Sequence, residues 1–563
     1  MAQWRTKGSA AVLCCLSVAA WAQGAPSAIR NPSDQLFREQ AEREREQVLR
    51  QAPLPEQAAP AAEADLGFPE GLAVDGPSFQ IDAIRADGDA LLSAAQFERI
   101  TAAFTRRQLG TAHIRVLLDR VTKALVAAGY VTSRAYVGNQ NLQQGTLTIS
   151  IQAGRIETIL YNGQALRPGD WNLPGVRLAL PMAQGDVLRL QDIEQAVDQL
   201  NRLRRNAVQV QIQPGEQAGG SIVDLRNREG EARQYSASAD NQGSSGTGRT
   251  RIQASVEQGN GLGLMESISL GLTSSTDTNA LYGTFSVPLG YTTLTGMVSW
   301  SEYQSLVGDT ALVYGTSRNA LIALNRLVAR DQNAKTAIDL SLAQRSSGRA
   351  INNVQLTPQQ LAVLRIGVNR LQRFSTAAGI GQWTLDAGWA RGLKALGADQ
   401  DAADLPSDGA HAQFDKFELS ATAQMPVVQG ISWRTRFASQ WSRKPLFSSE
   451  QIFIGGVASV RGLPESAVGG DRGFYLRNEA AWDTLAPVWN NSMRLEPYAF
   501  LDGGIVRGAT GRQRHQGAIG AGLGLRVAFA HGNADISVGR PLHRPAAVHD
   551  GGTRINASLT WQF

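Results

Sequence analysis

The chain has 563 residues and a formal net charge of +5, a length that favours several domains over one. Although 43% of the residues are hydrophobic, no apolar run beyond the N-terminus is long enough to cross a bilayer as a helix, which excludes a helical membrane protein. The positive charge is small and dispersed, and it gives no basis for nucleic-acid binding.

Residues 1–22 have the three parts of a secretory signal peptide. Arg5 and Lys7 give a positive start, an apolar stretch follows, and an Ala-Trp-Ala sequence forms the expected cleavage site at the end. Cleavage there lowers the net charge from +5 to +3, because two basic residues and no acidic residue are removed. Cys14 and Cys15 leave with the signal, since neither follows a good small-residue lipobox. These features predict a cysteine-free protein of the cell envelope.

Residues 31–50 predict a helix that is polar on nearly every face. Ser33 suits its N-cap, and opposite charges recur at the i, i+4 spacing, as in Glu39 and Arg43. Such a helix must lie in water or in a polar cavity. A solvated, marginal helix is the alternative, because isolated helices of this length are barely stable. Residues 51–74 are rich in proline and alanine and predict an extended, semi-stiff linker.

Two similar α+β units follow, at residues 75–153 and 154–230. Each has the predicted order β-α-α-β-β over roughly 75 residues, which marks an internal repeat. In the first unit Gly129 is well placed to end the second helix. Units of this kind leave a sheet edge beside a helix, where an extended peptide can add as a strand. The alternative is that both units are passive spacers.

From residue 231 to residue 563 the pattern changes to alternation of apolar and polar residues. Segments of about ten residues, such as Ile555–Phe563, are separated by clusters of turn-forming residues, and the 58 glycines of the chain suit such turns. A soluble β-sandwich would alternate in the same way. The signal peptide, the length of the pattern and the aromatic C-terminus favour instead a membrane all-β barrel of about 16 antiparallel strands.

The order of these segments resembles one family. A polar helix, a proline-rich linker, two repeated modules and a barrel are similar to the outer-membrane transporters of two-partner secretion (the TpsB type), within the Omp85 superfamily of barrels with periplasmic POTRA domains. The resemblance covers essentially the whole mature chain. Two motifs are its most specific marks, VRG(F/Y) in a loop and F-x-D-x-G in a strand; they match Val460, Arg461, Gly462 and Leu463, and Phe500, Asp502 and Gly504. Leu463 replaces the family's aromatic residue, which removes any stacking contact at that position.

Alternation within the strands gives the two motifs a common geometry. Glu479 and Asp502 fall on the lumen-facing side of successive strands, whereas Leu501 falls on the lipid-facing side. Arg461 lies in a loop rich in glycine, and its planar guanidinium can bridge two carboxylates. We therefore expect Arg461 to pair with both acids and to lock the loop inside the barrel. A solvated arginine beside lipid headgroups is the alternative.

The resemblance implies a translocation pore in the outer membrane of a Gram-negative bacterium. Its periplasmic POTRA domains would recognise a large unfolded exoprotein, which the barrel would secrete to the cell surface or medium without ATP. The helix at 31–50 would plug the resting lumen. Further implied partners are outer-membrane lipid and, during biogenesis, the barrel-assembly machinery, with Trp561 and Phe563 as the C-terminal assembly signal. No cofactor and no nucleic acid is implied.

Three other functions are the alternatives. An Omp85-type insertase would have more POTRA repeats and no plug helix. A plugged porin or receptor would not need two α+β modules. An enzyme would need a reactive constellation, but the six histidines show no Ser/His/acid spacing and no metal-ligand spacing. We therefore expect no catalytic residue and no metal site.

Overall fold

The computed structural model describes most of the chain from residue 77 onward and several shorter stretches before it. The described residues are 37, 38, 40–42, 45, 67–72, 77–167, 169, 172–244, 246–307, 310–482, 484–488, 493–510, 515–546, 548 and 551–563. The predicted signal peptide at 1–22, most of the predicted helix at 31–50 and most of the predicted linker at 51–74 lie outside the described residues. Within the described part, no helix is long and apolar enough to cross a membrane.

The first α+β unit contains a three-stranded sheet and two main helices. Its elements are β1 (Phe79–Ile81), β2 (Ala83–Gly88), α1 (Ala94–Thr101), β3 (Arg107–Leu109), α2 (Thr111–Ala127), β4 (Arg134–Tyr136) and β5 (Thr146–Gln152). Strand β5 pairs in parallel with β2 and antiparallel with β4, while β1 pairs with β3. Leu117 of α2 and Leu147 of β5 belong to one buried apolar core. Gly129, with a φ of 96°, follows the end of α2, as the sequence predicts.

The second unit repeats the parallel pair and the helical layer. Its elements are β6 (Arg155–Tyr161), β7 (Gln164–Ala165), α3 (Pro174–Ala179), α4 (Leu190–Asn201), β8 (Asn206–Pro214) and β9 (Gly220–Glu229). The sheet order is β7-β6-β9-β8, in which β6 and β9 are parallel and β8 is an edge strand antiparallel to β9. The sequence pattern predicts β6, α4, β8 and β9. The predicted order includes a helix before α4 but does not locate it, and it does not include β7; α3 and β7 are both too short to show a period.

The rest of the chain forms a closed barrel of 16 antiparallel strands, which confirms the predicted fold class. The strands are β10 (Arg233–Asp240), β11 (Arg251–Gly259), β12 (Ser267–Ser275), β13 (Thr278–Leu289), β14 (Thr292–Val307), β15 (Ala311–Arg330), β16 (Ala334–Ile351), β18 (Gln359–Thr376), β19 (Gly379–Gly392), β20 (Asp415–Val428), β21 (Ile431–Ser442), β24 (Arg472–Trp482), β26 (Met493–Arg507), β27 (Gln516–Phe529), β28 (Gly532–His543) and β29 (Arg554–Gln562). Short strands β17 (Val354–Gln355) and β25 (Thr484–Val488) extend β16–β18 and β24–β26.

Successive residues of the barrel strands point alternately outward and into the lumen, so their exposure alternates. In β26, Leu501 is 54% exposed on the outside, whereas Asp502 is 1% exposed. Trp561 and Phe563 at the C-terminus are also exposed. Phe563 takes part in closing the barrel, because its backbone and that of Tyr235 exchange hydrogen bonds of 2.8 and 3.0 Å.

Helix α4 docks the second unit on one rim of the barrel. Asp198 of α4 forms ion pairs with Arg330 and Lys335, which flank the turn between β15 and β16. The side chain of Gln199 donates a hydrogen bond of 2.8 Å to the carbonyl oxygen of Gly290, in the turn between β13 and β14. These side chains are buried, so the contacts are protected from screening by salt.

Two further contacts fix the orientation of this unit. The hydroxyl of Tyr291, in the turn between β13 and β14, donates a hydrogen bond to Asp192 of α4. Burial and this hydrogen bond raise the pKa of the Tyr291 hydroxyl well above its ordinary value. Arg202, just after α4, donates a hydrogen bond of 2.6 Å to the carbonyl oxygen of Met265, between β11 and β12. Contacts to three separate turns hold the unit in one position.

Candidate functional site in the barrel lumen

Residues 443–471, between β21 and β24, fold back into the barrel, and we call them the lumen loop. They contain a hairpin of two short strands, β22 (Ile452–Ile454) and β23 (Val468–Gly470), which contacts β26. Gly504 of β26 makes room for the hairpin, because a Cβ there would lie 2.9 Å from Cγ2 of Ile454. Gly462 has a φ of 91° and lies against the backbone of Arg540, so only glycine fits this part of the loop.

Arg461 is buried, 2% exposed, between two carboxylates of the barrel wall. Its Nε and Nη2 donate hydrogen bonds of 2.7 and 2.9 Å to the two oxygens of Asp502. Its Nη1 donates a hydrogen bond of 2.9 Å to Glu479, and its backbone N–H donates one of 3.1 Å to Asp502. The structure therefore brings together the motif residues Arg461 and Asp502 with Glu479, the acid that strand alternation places in the lumen. Lysine cannot reproduce this planar, multidentate arrangement.

Phe500 completes the surroundings of Arg461. The centre of the guanidinium lies 3.9 Å from the centroid of the Phe500 ring, a cation–π distance. The ring is 5% exposed and faces the lumen, two residues before Asp502 on the same side of β26. Each of the three fixed positions of the F-x-D-x-G motif therefore contacts the lumen loop: the ring of Phe500, the carboxylate of Asp502 and the small residue Gly504.

Leu463 lies in an apolar cluster between the lumen loop and the barrel wall. It is 3% exposed. The other buried members of the cluster are Ile454, Val460, Val468, Val506 and Ala518, from the loop and from β26 and β27. The aliphatic residue that replaces the family's aromatic is therefore accommodated by packing. The loop is attached to the wall by apolar contacts as well as by charge.

A second layer of charges surrounds this site. Arg526 Nη1 lies 2.6 Å from Glu479 Oε1 and 2.7 Å from Glu496 Oε1. Arg434 Nη2 donates a hydrogen bond of 2.7 Å to Glu496, and Arg526 Nε donates one of 3.1 Å to Asp535. The two sequence motifs do not identify these residues. A search for charges on the lumen-facing sides of neighbouring strands would have found them, because the same alternation governs β21, β26, β27 and β28.

The described residues of the predicted helix at 31–50 are helical and lie in the lumen. Phe37 is 4% exposed and packs against Met297 of β14. Arg38 donates a hydrogen bond of 3.1 Å to the carbonyl oxygen of Gln451 in the lumen loop. The helix therefore contacts both the wall and the loop.

Charged residues of the same helix contact two other strands of the barrel wall. Glu42 accepts a hydrogen bond of 3.0 Å from Arg436 of β21, and Arg45 Nε lies 3.7 Å from Asp386 of β19. A polar helix in a polar lumen is what the sequence pattern favours.

The loop between β19 and β20, at the rim opposite the second unit, packs against the lumen loop. Phe414 is fully buried in an apolar cluster that includes Leu446 of the lumen loop. Asp401 pairs with the His411 ring at 2.7 Å and accepts a backbone hydrogen bond of 2.7 Å from Ala412. Burial alone would raise the pKa of Asp401, but these bonds outweigh burial and lower the pKa below its ordinary value. The ionised carboxylate thus stabilises this loop.

Gly520→Ala is expected to lift the lumen loop from β27. A Cβ at Gly520 would overlap the carbonyl oxygen of Arg461, a backbone atom that cannot move without the loop. We expect a cost of about 1–3 kcal/mol in loop seating and faster cleavage of the loop by protease added to the folded, membrane-inserted protein. Gly503→Ala is the control, because the nearest heavy atom to its Cβ is 3.7 Å away. Equal protease resistance of the two variants would contradict the prediction.

Residues 219–527 match the family described as haemolysin secretion/activation protein ShlB/FhaC/HecB, and this match covers more than half of the chain. The chain belongs to this family. Residues 79–154 match the ShlB-type POTRA domain and residues 155–214 match a POTRA domain, so the two α+β units are POTRA domains. The family resemblance stated from the sequence is thereby confirmed.

Two relatives and one solved structure are similar to this chain over most of their length. The outer membrane transporter CdiB of Escherichia coli O6:K15:H31 is 31% identical over 554 residues, which cover 95% of this chain and 90% of that protein. The hemolysin transporter protein ShlB of Serratia marcescens is 26% identical, covering 89% of this chain and 86% of that protein. The solved structure of CdiB from Escherichia coli matches with a TM-score of 0.83 at 27% identity, covering 95% of this chain and 100% of that one.

Family membership and fold together establish the class of function. The chain is an outer-membrane transporter of two-partner secretion, with its POTRA domains in the periplasm, and it secretes a partner exoprotein. The relatives named above are transporters rather than enzymes. The insertase alternative is not favoured by these comparisons.

Proposed function

We propose that this transporter captures its unfolded partner on the POTRA domains and passes it through the barrel after the helix at 31–50 has left the lumen. One observation carries the proposal. The lumen is occupied from two sides, by helix residues such as Phe37 and by the lumen loop that Arg461 binds to the wall. A filled lumen cannot hold a second polypeptide, so part of this filling must move. No nucleotide is needed if folding of the exported chain outside prevents its return.

A free sheet edge in the second POTRA domain supports the capture step. In an antiparallel pair, the backbone groups of alternate residues point away from the partner strand. At Val208 of β8, both groups point away from β9 and bond to the side chain of Asn201, at 2.7 and 3.1 Å. The same alternation turns the N–H and C=O groups of Val210 and Ile212 outward. An extended peptide can add as a strand to such an edge.

The two ends of this edge are defined by their residues. Asn201 occupies the bonding groups at Val208, as a neighbouring strand would. Pro214 occupies the next outward-facing position after Ile212. Proline has no N–H to donate, and within sheets it is confined to positions such as this one on an edge strand. Exposure increases along β8 toward Pro214. Between the two ends, the N–H and C=O groups of Val210 and Ile212 face away from β9, and we propose that the partner binds them.

Ile212→Pro is expected to weaken partner binding without unfolding the domain. Proline removes an N–H that faces the free edge, while no hydrogen bond to β9 is lost. Loss of one backbone hydrogen bond of about 0.5–1.5 kcal/mol predicts roughly two- to tenfold weaker binding. The dissociation constant is measured by surface plasmon resonance, with the secretion domain of the partner and the full-length transporter. Ile212→Thr retains the N–H and is the control; identical affinities for the two variants would exclude capture at this edge.

The motif residues and the C-terminus receive further proposed roles. We propose that the loop motif and its partners lock the lumen loop; these residues are Val460, Arg461, Gly462, Leu463, Glu479, Phe500, Asp502 and Gly504. Trp561 and Phe563 are proposed as the signal read by the barrel-assembly machinery, and the outward apolar side chains as the contact with outer-membrane lipid. Their exposure and the position of Phe563 beside Tyr235 at the barrel closure support these roles.

The domain boundaries are part of the same proposal. They are 1–22 for the signal peptide, 31–50 for the plug helix, 51–74 for the linker, 75–153 and 154–230 for the POTRA domains, and 231–563 for the barrel. The bounds of strands β1 to β29 and the residues matched by the POTRA families support the last three.

Deletion of the gene tests the proposed function in the cell. We expect a large polypeptide to disappear from the medium or the cell surface while other outer-membrane barrels assemble normally. An unchanged set of secreted proteins together with a loss of barrel assembly would indicate an insertase. Loss of uptake of a small solute alone would indicate a porin or receptor.

A further inference from the structure

We propose that the lumen loop has a second anchor, at Glu450, and that the N-terminal helix keeps this anchor closed. When the helix leaves, the Glu450 end of the loop is released while the Arg461 end stays bound. The loop then swings about Arg461 and widens the lumen. The inference rests on the proposed function in one respect, that the helix leaves the lumen.

Glu450 lies near the start of the lumen loop and is 0% exposed. Arg345 of β16 donates hydrogen bonds to its carboxylate and, at 3.0 Å, to the carbonyl oxygen of Ser449. Lys416 Nζ of β20 lies 2.8 Å from Glu450 Oε2. Because a buried carboxylate is tolerated only when it is paired, these two cations hold this end of the loop to the wall.

Lys416 is shared with a second cluster of charges. Its Nζ also lies 2.8 Å from Glu418 Oε1. Glu418 pairs in turn with Arg365 of β18, whose guanidinium also binds Asp339 and Asp386. One guanidinium therefore serves three carboxylates, so this cluster has more negative than positive charge unless other cations contribute.

The N-terminal helix contributes such a cation. Arg45 Nε lies 3.7 Å from Asp386 Oδ2, a buried atom with no hydrogen-bond partner among the described residues. Arg38 of the same helix donates a hydrogen bond to the carbonyl oxygen of Gln451, the residue that follows Glu450. The helix thus contacts both the charge cluster and the released end of the loop.

Departure of Arg45 changes the balance of charge around Lys416. Three carboxylates then share Arg365, and their excess charge draws Lys416 toward Glu418 and away from Glu450. Coulomb energies between charges about 3–4 Å apart are large where water is excluded. The Glu450 carboxylate keeps Arg345 as its only close cation among the described residues, and this end of the loop becomes weaker.

The Arg461 end of the loop has its own partners. Asp502 and Glu479 belong to β26 and β24, and Glu479 is also paired with Arg526 of β27. These cations and carboxylates do not depend on Arg45. Release of the helix therefore acts on one end of the loop.

The test uses the full-length transporter with a spin label at one of two loop positions. Ser448 lies beside the second anchor, and Val457 lines the cavity of about 500 Å³ that Arg461 also lines. The chain has no cysteine after Cys15, so Ser448→Cys or Val457→Cys gives a single labelling site in the processed protein. Resistance to unfolding by detergent without heating confirms that each variant barrel is folded.

Neutralising the two helix arginines is the decisive change. In Arg38→Gln/Arg45→Gln, we expect the mobile fraction of the label at position 448 to rise about tenfold, or about 1.4 kcal/mol, and that at position 457 to stay unchanged. Glu42→Gln is the matched control, because it removes the helix contact with Arg436 and leaves the Glu450 cluster intact. We expect neither label to respond to it.

Three outcomes would overturn the inference. Mobilisation of both labels would mean that the whole loop leaves, and mobilisation of neither would mean that the helix does not control the loop. An equal response to Glu42→Gln would show that general loosening of the helix, rather than the charge cluster, is responsible. Partner export is measured separately on the same variants. Normal export with an unresponsive label at position 448 contradicts this inference and leaves the proposed function standing.

Discussion

Arg461→Ala is expected to leave the barrel inserted in the outer membrane and to reduce export of the partner exoprotein about tenfold or more. The substitution removes the three side-chain hydrogen bonds to Glu479 and Asp502 that attach the lumen loop to β24 and β26. It also leaves Asp502 as a buried carboxylate without its cation, which costs about 3–5 kcal/mol. Export is measured as the partner found in the medium, relative to the amount of folded barrel. Full export by this variant would contradict the role of the lock.

A second substitution separates the role of the lock from simple loss of stability. Arg461→Ala/Asp502→Asn removes the unpaired buried charge, so unfolding in denaturant should return toward that of the unmodified protein. Export should remain low, because the loop is still unattached. If stability and export recover together, Arg461 contributes only to folding. Arg461→Lys keeps the charge without the planar fork and is expected to give an intermediate loss of export.

Deletion of residues 31–50 is expected to open a conducting path through the barrel. Phe37 packs against the wall inside the lumen, and Glu42 and Arg45 contact charged residues of the wall, so their removal vacates part of the lumen. We expect the single-channel conductance in planar bilayers to rise severalfold and to become less variable. The measurement is made on purified, full-length and deleted protein under the same salt and voltage.

A matched replacement shows whether the low conductance of the unmodified protein requires the helix in the lumen or only a segment of that length before the linker. A Gly/Ser segment of equal length in place of residues 31–50 keeps the linker at its original length but cannot form the helix. This replacement should conduct as the deletion does. A conductance equal to that of the unmodified protein in both variants would mean that the lumen loop alone closes the pore.

Much of the architecture follows from a single period in the sequence. In a strand, residues two apart share a face, so alternation alone assigns Leu501 to the lipid and Asp502 to the lumen. The contact of Arg461 with Glu479 and Asp502 could be anticipated for the same reason, because both acids face inward on neighbouring strands. The glycine at residue 129 likewise identifies a helix end.

Other contacts depend on distances that no local period contains. The ion pairs of Glu450 join the lumen loop to β16 and β20, which requires the path of the whole loop through the barrel. The docking of Asp198 on Arg330 and Lys335 requires the position of one domain relative to another. The short helix α3 has only six residues, too few for a helical pattern to stand out.

Docking of the second POTRA domain also limits where insertions and deletions can occur in related sequences. Two of the three periplasmic turns that carry its contacts, residues 290–291 and 331–333, have only two and three residues, and an insertion in either would displace Gly290, Arg330 or Lys335 from helix α4. Some loops on the cell-surface side are much longer, such as residues 393–414 between β19 and β20, and surface loops generally tolerate changes in length. Among homologous chains, insertions and deletions should therefore accumulate on the cell-surface side, while these two turns keep their length over the same evolutionary time.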